Sequence, residues 1–427
     1  MVEIEHVSFS YGNEENSKNL TDIDFMIHSG ECVLLCGASG CGKTTITKLV
    51  NGLIPHFQEG KLEGCTRVDG MEVKDLPLYE LSQKVGSVFQ NPKSQFFNID
   101  SDSELAFGLE NNGVDPSIIR ERLDRVVKDM NIQHLLHRNV FSMSGGEKQT
   151  LAFASVYAMN PDVYVLDEPS ANLDQKATEN LREQIRMIKE QGKTIIVAEH
   201  RLSYLADLID RAVLIQNGKI RKEYTREAFL QIPEPERHKM GLRTVFPQTC
   251  RITERAKETG VLQVKNLTVK RKKKIIFENL SFAVSPGMVL GILGHNGAGK
   301  STLLRCIAGL QKEASGEIFY EGKKLSRKQR NKLCYMMALD EFHLLELKEK
   351  HPMALSGGQK QRLAIVTGIL AGKKVLMFDE PSSGLDYEHM CRVSSTLRKL
   401  SDAGCMVLVV THDLELLNRT CDQILTF

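Results

Sequence analysis

The pattern of apolar and polar positions along this chain of 427 residues is written twice. Short apolar runs recur in one order: "VLLC" (33–36), "VYVL" (163–166) and "IIVA" (195–198), then "LGIL" (290–293), "VLMF" (375–378) and "VLVV" (407–410). Runs of four bounded by glycine or charge predict strands buried on both faces, as in a parallel sheet. "TTITKLVNGL" and "STLLRCIAGL" follow the first run of each set and predict helices, so each copy opens as strand, loop and helix. A unit repeated at this length indicates a duplicated domain. The polar stretch around 231–260, with its prolines and arginines, predicts a boundary. The expected organisation is a first domain over 1–225, a linker over 226–259 and a second domain over 260–427.

Each apolar run ends in residues that carry chemistry. The first run of each set enters G-x-x-x-x-G-K-[ST], in "GASGCGKT" and "GHNGAGKS". Between a strand and a helix, such a loop converges backbone N–H groups on phosphate oxygens at a helix N-terminus. The residues expected at ATP are Gly37, Ser39, Gly40, Gly42, Lys43, Thr44 and Thr45, with Gly294, Asn296, Gly297, Gly299, Lys300, Ser301 and Thr302 in the second copy. Lys43 and Lys300 would reach the β- and γ-phosphates, and Thr44 and Ser301 offer hydroxyls to Mg²⁺. The second run enters two acids. Asp167 and Asp379 are candidate Mg²⁺ ligands, and Glu168 and Glu380 are candidates to polarise an attacking water. The third run reaches His200 and His412. Each lies 32 residues beyond its glutamate, which favours γ-phosphate sensing over a structural histidine. A serine and two glycines opening a helix, Ser144, Gly145 and Gly146 with Ser356, Gly357 and Gly358, make a second anion-binding N-terminus in each copy.

Composition narrows the class without naming the function. With 41% hydrophobic and 26% charged residues the chain is globular, and a net charge of +2 gives no electrostatic case for nucleic acid. No apolar run approaches the roughly 20 residues a bilayer-spanning helix needs. The N-terminus "MVEIEHVSFSYG" is acidic and alternating, unlike a secretory signal. The ten cysteines form no C-x-x-C pair, which fits free thiols in a reducing compartment. Cys32, Cys36 and Cys41 are expected in the core or in loop packing, with no metal. Cys41 lies inside the phosphate loop, so its alkylation is expected to inhibit.

At this point the chain resembles the ABC (ATP-binding cassette) ATPases over nearly all of both units. The resemblance implies an α/β fold of two P-loop NTPase domains in tandem, each a mainly parallel sheet core with an antiparallel β subdomain. It also implies intramolecular pairing of the cassettes, with each ATP between one unit's phosphate loop and the other's SGG motif. "VFQNPKSQFF" (88–97) and "AEHRL" (198–202) are similar to stretches of energy-coupling factor (ECF) importer ATPases. That likeness implies a peripheral motor subunit at the cytoplasmic face of the membrane. Its partners would be a transmembrane scaffold protein and a substrate-binding membrane protein, and its cargo a vitamin or metal ion. Gln90 would contact Mg²⁺ and the attacking water, and the residues after it would form the scaffold groove. Tyr11 stands where the family stacks an aromatic on adenine, although a core role remains open. A soluble tandem ATPase acting on ribosomes or DNA, and a non-hydrolysing ATP-binding relative, are the alternatives.

The copies are unequal. Lys43 and Lys300 are 257 residues apart, whereas Ser144 and Ser356, Glu168 and Glu380, and His200 and His412 are each 212 apart. The second copy therefore has 45 fewer residues between its phosphate loop and its SGG motif. Ala338 stands opposite Gln90, and no glutamine occurs between Gln329 and Gln359. The helical subdomain is expected intact in the first unit and truncated in the second, with Arg271 in place of Tyr11. The chain reaches "CDQILTF" without a counterpart of the turn "QNGK" (216–219). The first site is expected to carry most turnover.

Overall fold

A computed structural model describes residues 1–12, 19–171, 173–246, 248–252, 254, 256–257, 259–271, 274–337 and 373–427. They form two compact units, Met1–Pro247 and Gln248–Phe427.

The first unit is built on two sheets. An antiparallel sheet runs in the order β2–β1–β4–β5 from β1 (Val2–Tyr11), β2 (Leu20–Ile27), β4 (Gly60–Val68) and β5 (Met71–Glu72). The larger sheet has the order β10–β9–β3–β8–β7–β6. Its strands are β3 (Cys32–Cys36), β6 (Val85–Val88), β7 (Val163–Asp167), β8 (Thr194–Ala198), β9 (Arg211–Gln216) and β10 (Lys219–Thr225). Five of these strands are parallel, and β10 returns antiparallel on β9. Alternation along β3 shows why the run is wholly apolar. Cys32, Leu34 and Cys36 enter one core cluster and Val33 and Leu35 another, so both faces are covered.

A helical layer lies between β6 and β7 in the chain: Ser101–Asn111, Pro116–Asp129 and Gly145–Met159. Each begins on a side-chain cap, with Asp100, Asp115 and Ser144 accepting from backbone N–H groups of the first turn. The buried Glu104 carboxylate accepts from the N–H groups of Phe97 and Asn98, anchoring the loop after Gln90 to this layer.

The second unit repeats the plan. β11 (Leu262–Arg271), β12 (Lys274–Val284), β14 (Ser315–Tyr320) and β15 (Lys323–Lys324) form the antiparallel sheet β12–β11–β14–β15. β13 (Val289–Leu293), β16 (Cys334–Met337), β17 (Val375–Asp379), β18 (Met406–Val410) and β19 (Gln423–Thr426) form the all-parallel sheet β16–β17–β18–β13–β19. Among the described residues this sheet has no partner equivalent to β10. Ala338, Ser356, Gly357 and Gly358 lie outside the described residues, as does the short segment expected in place of the helical subdomain. No described helix is long and apolar enough to cross a membrane.

The expected linker over 226–259 is folded at both ends. After β10, the helix Arg226–Leu230 carries Phe229 into the first unit's core, Ile232 enters it from the turn before the helix Glu234–Lys239, and Leu242 and Val245 follow. Gly241, at φ 76, ends the second of these helices, and the N–H of Leu242 returns to the Arg237 carbonyl. Beyond Gln248 the chain belongs to the other unit, where Ala256 and Glu254 exchange backbone hydrogen bonds with Ile424 of β19. Prolines and charges here mark turns and helix starts, and the apolar residues spaced between them were the missed signal. Phe229→Ala should cost the first unit about 3–5 kcal/mol of unfolding free energy in a denaturant titration of the full chain. A loss under about 1 kcal/mol would show that this segment is not part of the core.

Candidate functional site

Strand order assembles the site. β3, β8 and β7 are neighbours, and Ala198 at the end of β8 is in register with both Leu35 and Asp167. The phosphate loop, the acid pair and His200 therefore leave one sheet edge together.

The loop from Gly37 to Gly42 has the backbone its sequence demands. Gly37 lies at φ 143, and a Cβ there would meet the Ile215 carbonyl oxygen at 2.2 Å. Gly42, at φ 114, precedes the helix Lys43–Val50, which has no side-chain cap. Its first N–H groups are thus left without the side-chain acceptor that caps the helices of the helical layer. Lys43 is buried, and its ammonium donates to the carbonyls of Gly37 (3.0 Å) and Ala38 (3.1 Å) and lies 3.2 Å from His200 Nε2. The Thr44 hydroxyl donates to Asp167 Oδ1 at 3.1 Å. Glu168 receives Gln90 Nε2 at 2.5 Å on one oxygen and lies 3.4 Å from His200 Nε2 through the other. Burial, and then the charge of Glu168, pushes the Asp167 carboxyl up to about 6. Two crowded carboxylates beside a hydroxyl suit a divalent cation, which would relieve their repulsion.

Tyr11 stands against the same helix, with its hydroxyl 3.3 Å from Thr45 Oγ1 and Lys48 Nζ 5.5 Å from its ring centre. Ser39 and Gly40 form the tip of the loop, where a Cβ on Gly40 would meet nothing within 4 Å. Cys41 is packed inside the phosphate loop. Its thiol is 6% exposed and burial pushes its pKa up, so alkylation requires the loop to open first. Cys32 and Cys36 are also buried free thiols.

Ser144 opens its helix in a capping box: its hydroxyl accepts from Glu147 N–H, and its own N–H donates to Glu147 Oε2 at 2.7 Å. A Cβ on Gly145 would meet nothing within 4 Å, whereas one on Gly146 would meet the Ala177 methyl at 2.9 Å. Among the described residues, no hydrogen bond joins Ser144 to the cluster of Lys43, Asp167, Glu168 and His200.

The second unit builds the same core from the same edge, with Val410 in register with Ile292 and Asp379. Lys300 donates to the carbonyls of Gly294 (2.8 Å) and His295 (3.0 Å) and lies 3.2 Å from His412 Nε2. Gly299, at φ 101, precedes the helix that carries Lys300, Ser301 and Thr302. Gly297 lies in the same loop at φ 85, and Asn296 places its amide oxygen 3.0 Å from His412 Nε2. The difference lies at the glutamate. Glu380 lies 3.2 Å from His412 Nε2 and accepts from the His412 N–H at 3.4 Å. Burial pushes its carboxyl up to about 7.

Sequence reasoning gave no role to Glu199, Arg201, Ser382 and Asp413, which surround the two histidines in hydrogen bonds. The one signal was a buried-strand run ending on a glutamate where the repeat has Thr411.

The family described as "ABC transporter" matches residues 20–171, 277–342 and 334–383. The match is continuous in the first unit and breaks in the second near 334–342, where the spacing places the missing 45 residues. A protein of Treponema denticola named "Putative ABC transporter ATP-binding protein" is 44% identical over 465 aligned positions, spanning all of this chain and 95% of that protein. "Putative HMP/thiamine import ATP-binding protein YkoD" of Bacillus subtilis is 30% identical across all of this chain and 89% of its own length. Among solved structures, cbiO1 from Clostridium perfringens, described as part of the ABC transporter complex cbiONQ, is 26% identical. It covers 54% of this chain and 90% of its own, with a TM-score of 0.48.

The capping box at Ser144 makes a pH-dependent prediction. Burial alone would raise the Glu147 carboxyl, but the Arg138 guanidinium and the Ser144 N–H and hydroxyl outweigh it and hold it at about 2. A depressed folded-state pKa stabilises above the ordinary value of 4.5 and loses that contribution as pH falls towards 2. Glu147→Gln should cost about 1 kcal/mol at pH 7, a figure held down by solvent screening. Thermal unfolding of parent and variant should converge as pH drops below about 4.

Proposed function

This chain belongs to the ABC transporter ATP-binding family, and from that premise we propose that it is the motor subunit of an ECF-type importer of a vitamin or metal ion. ATP is its substrate, and its reaction is ATP hydrolysis coupled to transport. The importer reading is supported by what surrounds the loop after Gln90. Phe97, Ile99 and Phe141 are each more than 60% exposed, and the Val140 N–H donates to the Ile99 carbonyl, which holds the latter two side by side. Phe97 stacks on Phe107 with ring centres 4.9 Å apart. An apolar surface of this kind, anchored to the loop that carries Gln90, suits a helix of a membrane partner. The thiamine-import name of the Bacillus relative favours a vitamin over a metal ion.

The residues divide the work as follows. Phosphate entry requires Lys43 and Lys300 to exchange loop carbonyls for phosphate oxygens, and the open glycine backbones supply further N–H donors. Thr44, Asp167 and Gln90 would hold Mg²⁺ in the first unit, and Ser301 and Asp379 in the second; when bound, the ion neutralises charge on the phosphates. Glu168 orients and polarises the attacking water, with Gln90 fixing one carboxylate oxygen and His200 facing the other. Tyr11 packs against the adenine. Ser144, Gly145 and Gly146 open a helix suited to a phosphate, and among the described residues no hydrogen bond ties Ser144 to the cluster around Lys43.

The first unit carries most turnover. Gln90 gives Glu168 a neighbour that Glu380 lacks among the described residues, and Glu380 instead bonds to its own histidine's backbone. In steady-state ATPase assays of the full chain, Glu168→Gln should remove most of kcat and Glu380→Gln a minor part. The reverse order would overturn this assignment. A pull-down from detergent-solubilised membranes should recover a multi-span protein, and Phe97→Asp with Phe141→Asp should lose it while basal ATPase persists. Recovery of ribosomes in its place would contradict the importer reading.

A further inference from the structure

Glu199 is 2% exposed, and its carboxylate accepts four hydrogen bonds. Oε1 receives the N–H of His200 at 2.7 Å and of Arg201 at 3.1 Å. Oε2 receives the N–H of Ser170 at 3.2 Å and the Tyr204 hydroxyl at 3.0 Å. The carbonyl just before it, on Ala198, receives the N–H of Glu168 at 2.8 Å. Two consecutive residues at the end of β8 thus grip both ends of the turn from Glu168 to Ser170. That turn needs gripping. Glu168 sits at φ 46, a left-handed conformation that is strained for a residue with a Cβ.

We propose that Glu199 is a positioning residue for ATP hydrolysis, a strap that sets the spacing between Glu168 and His200. One oxygen fixes the turn that carries the glutamate, and the other fixes the backbone of the histidine. The proposal rests on the roles assigned above to those two residues.

The second unit supplies an independent comparison. Thr411 stands at the position of Glu199, and Asp413 at that of Arg201. Asp413 Oδ2 accepts from the hydroxyl of Ser382 at 2.6 Å, and Ser382 is the counterpart of Ser170. Glu380 has the same left-handed backbone, φ 50, and its N–H donates to the Val410 carbonyl at 2.8 Å. Both units therefore tie the serine two residues past the glutamate to an acid beside the histidine, but from opposite sides of that histidine. In the first unit Arg201 takes the other side, and its guanidinium donates to the carbonyls of Leu173 (3.0 Å) and Ser170 (3.4 Å). An acid serving only to fill the core would not reappear across the histidine with an equivalent partner.

Glutamine at position 199 isolates the strap. An amide offers one acceptor oxygen, so it keeps the His200 and Arg201 N–H groups or the Ser170 N–H, but not both. A tilt of the Glu168 turn by a fraction of an ångström is enough to slow hydrolysis. In the full-length chain, Glu199→Gln should lower kcat about tenfold with the KM for MgATP and the thermal midpoint nearly unchanged. Glu199→Thr combined with Arg201→Asp, which installs the second unit's order, should recover most of that loss. Glu199→Gln added to His200→Ala should slow the enzyme by clearly less than the product of the two single losses, since part of the strap's effect acts through the histidine. Parental kcat in Glu199→Gln, failure of the swapped pair to recover activity in a folded protein, or multiplicative losses with His200→Ala would each overturn the proposal. Parental kcat in His200→Ala would instead remove the histidine's role on which it rests.

Discussion

Everything at the site depends on the hydrogen-bonded register of three parallel strands. Ala198 pairs with Leu35 on one side and Asp167 on the other, and Val410 does the same between Ile292 and Asp379. Parallel strands present their C-terminal ends on one edge, so a lysine loop, an acid pair and a histidine spread over 157 residues of the first unit's sequence converge. The strands can hold this register because both faces are buried. A slip by one residue would exchange the two core clusters that the odd and even positions of β3 enter.

On that frame the two units reach similar ammonium–imidazole geometry and different carboxylate geometry. Lys43 and Lys300 each fold onto two loop carbonyls and a histidine nitrogen at 3.2 Å. The loop sequence fixes that much, since glycine backbones leave the carbonyls within the lysine's reach. The glutamates diverge because their surroundings come from elsewhere. Glu168 is met by Gln90, delivered by the loop after β6, which Glu104 anchors to the helical layer. Glu380 turns onto the backbone of His412, and burial raises its carboxyl to about 7. Among the described residues the two carboxylates therefore have unlike surroundings although their motifs match.

Motor work requires that nucleotide chemistry and a partner surface share one moving part. In the first unit the segment after β6 carries Gln90 at one end and exposed Phe97 and Ile99 at the other, as the proposed motor role would require. The family match breaks in the second unit at the corresponding place. Under the importer reading proposed above, the asymmetry would be one of coupling as much as of chemistry.

The sequence alone determined the duplication, the parallel strands, the two phosphate loops and the position of the missing segment. Those features are local: four apolar residues in a row, or a glycine needed at a positive φ, are dictated by burial and sterics within a few positions. Within 226–259 it did not reveal the packing of Phe229, Ile232, Leu242 and Val245, because turn-forming residues do not tell which core lies beneath them. It passed over Glu199, because a carboxylate's role is set by the donors around it. Those donors, from Ser170, His200, Arg201 and Tyr204, meet only when β7 and β8 are paired. Tertiary structure also decided that, among the described residues, Glu168 and Glu380 have unlike neighbours, since hydrogen-bond partners belong to the packed chain and not to a motif.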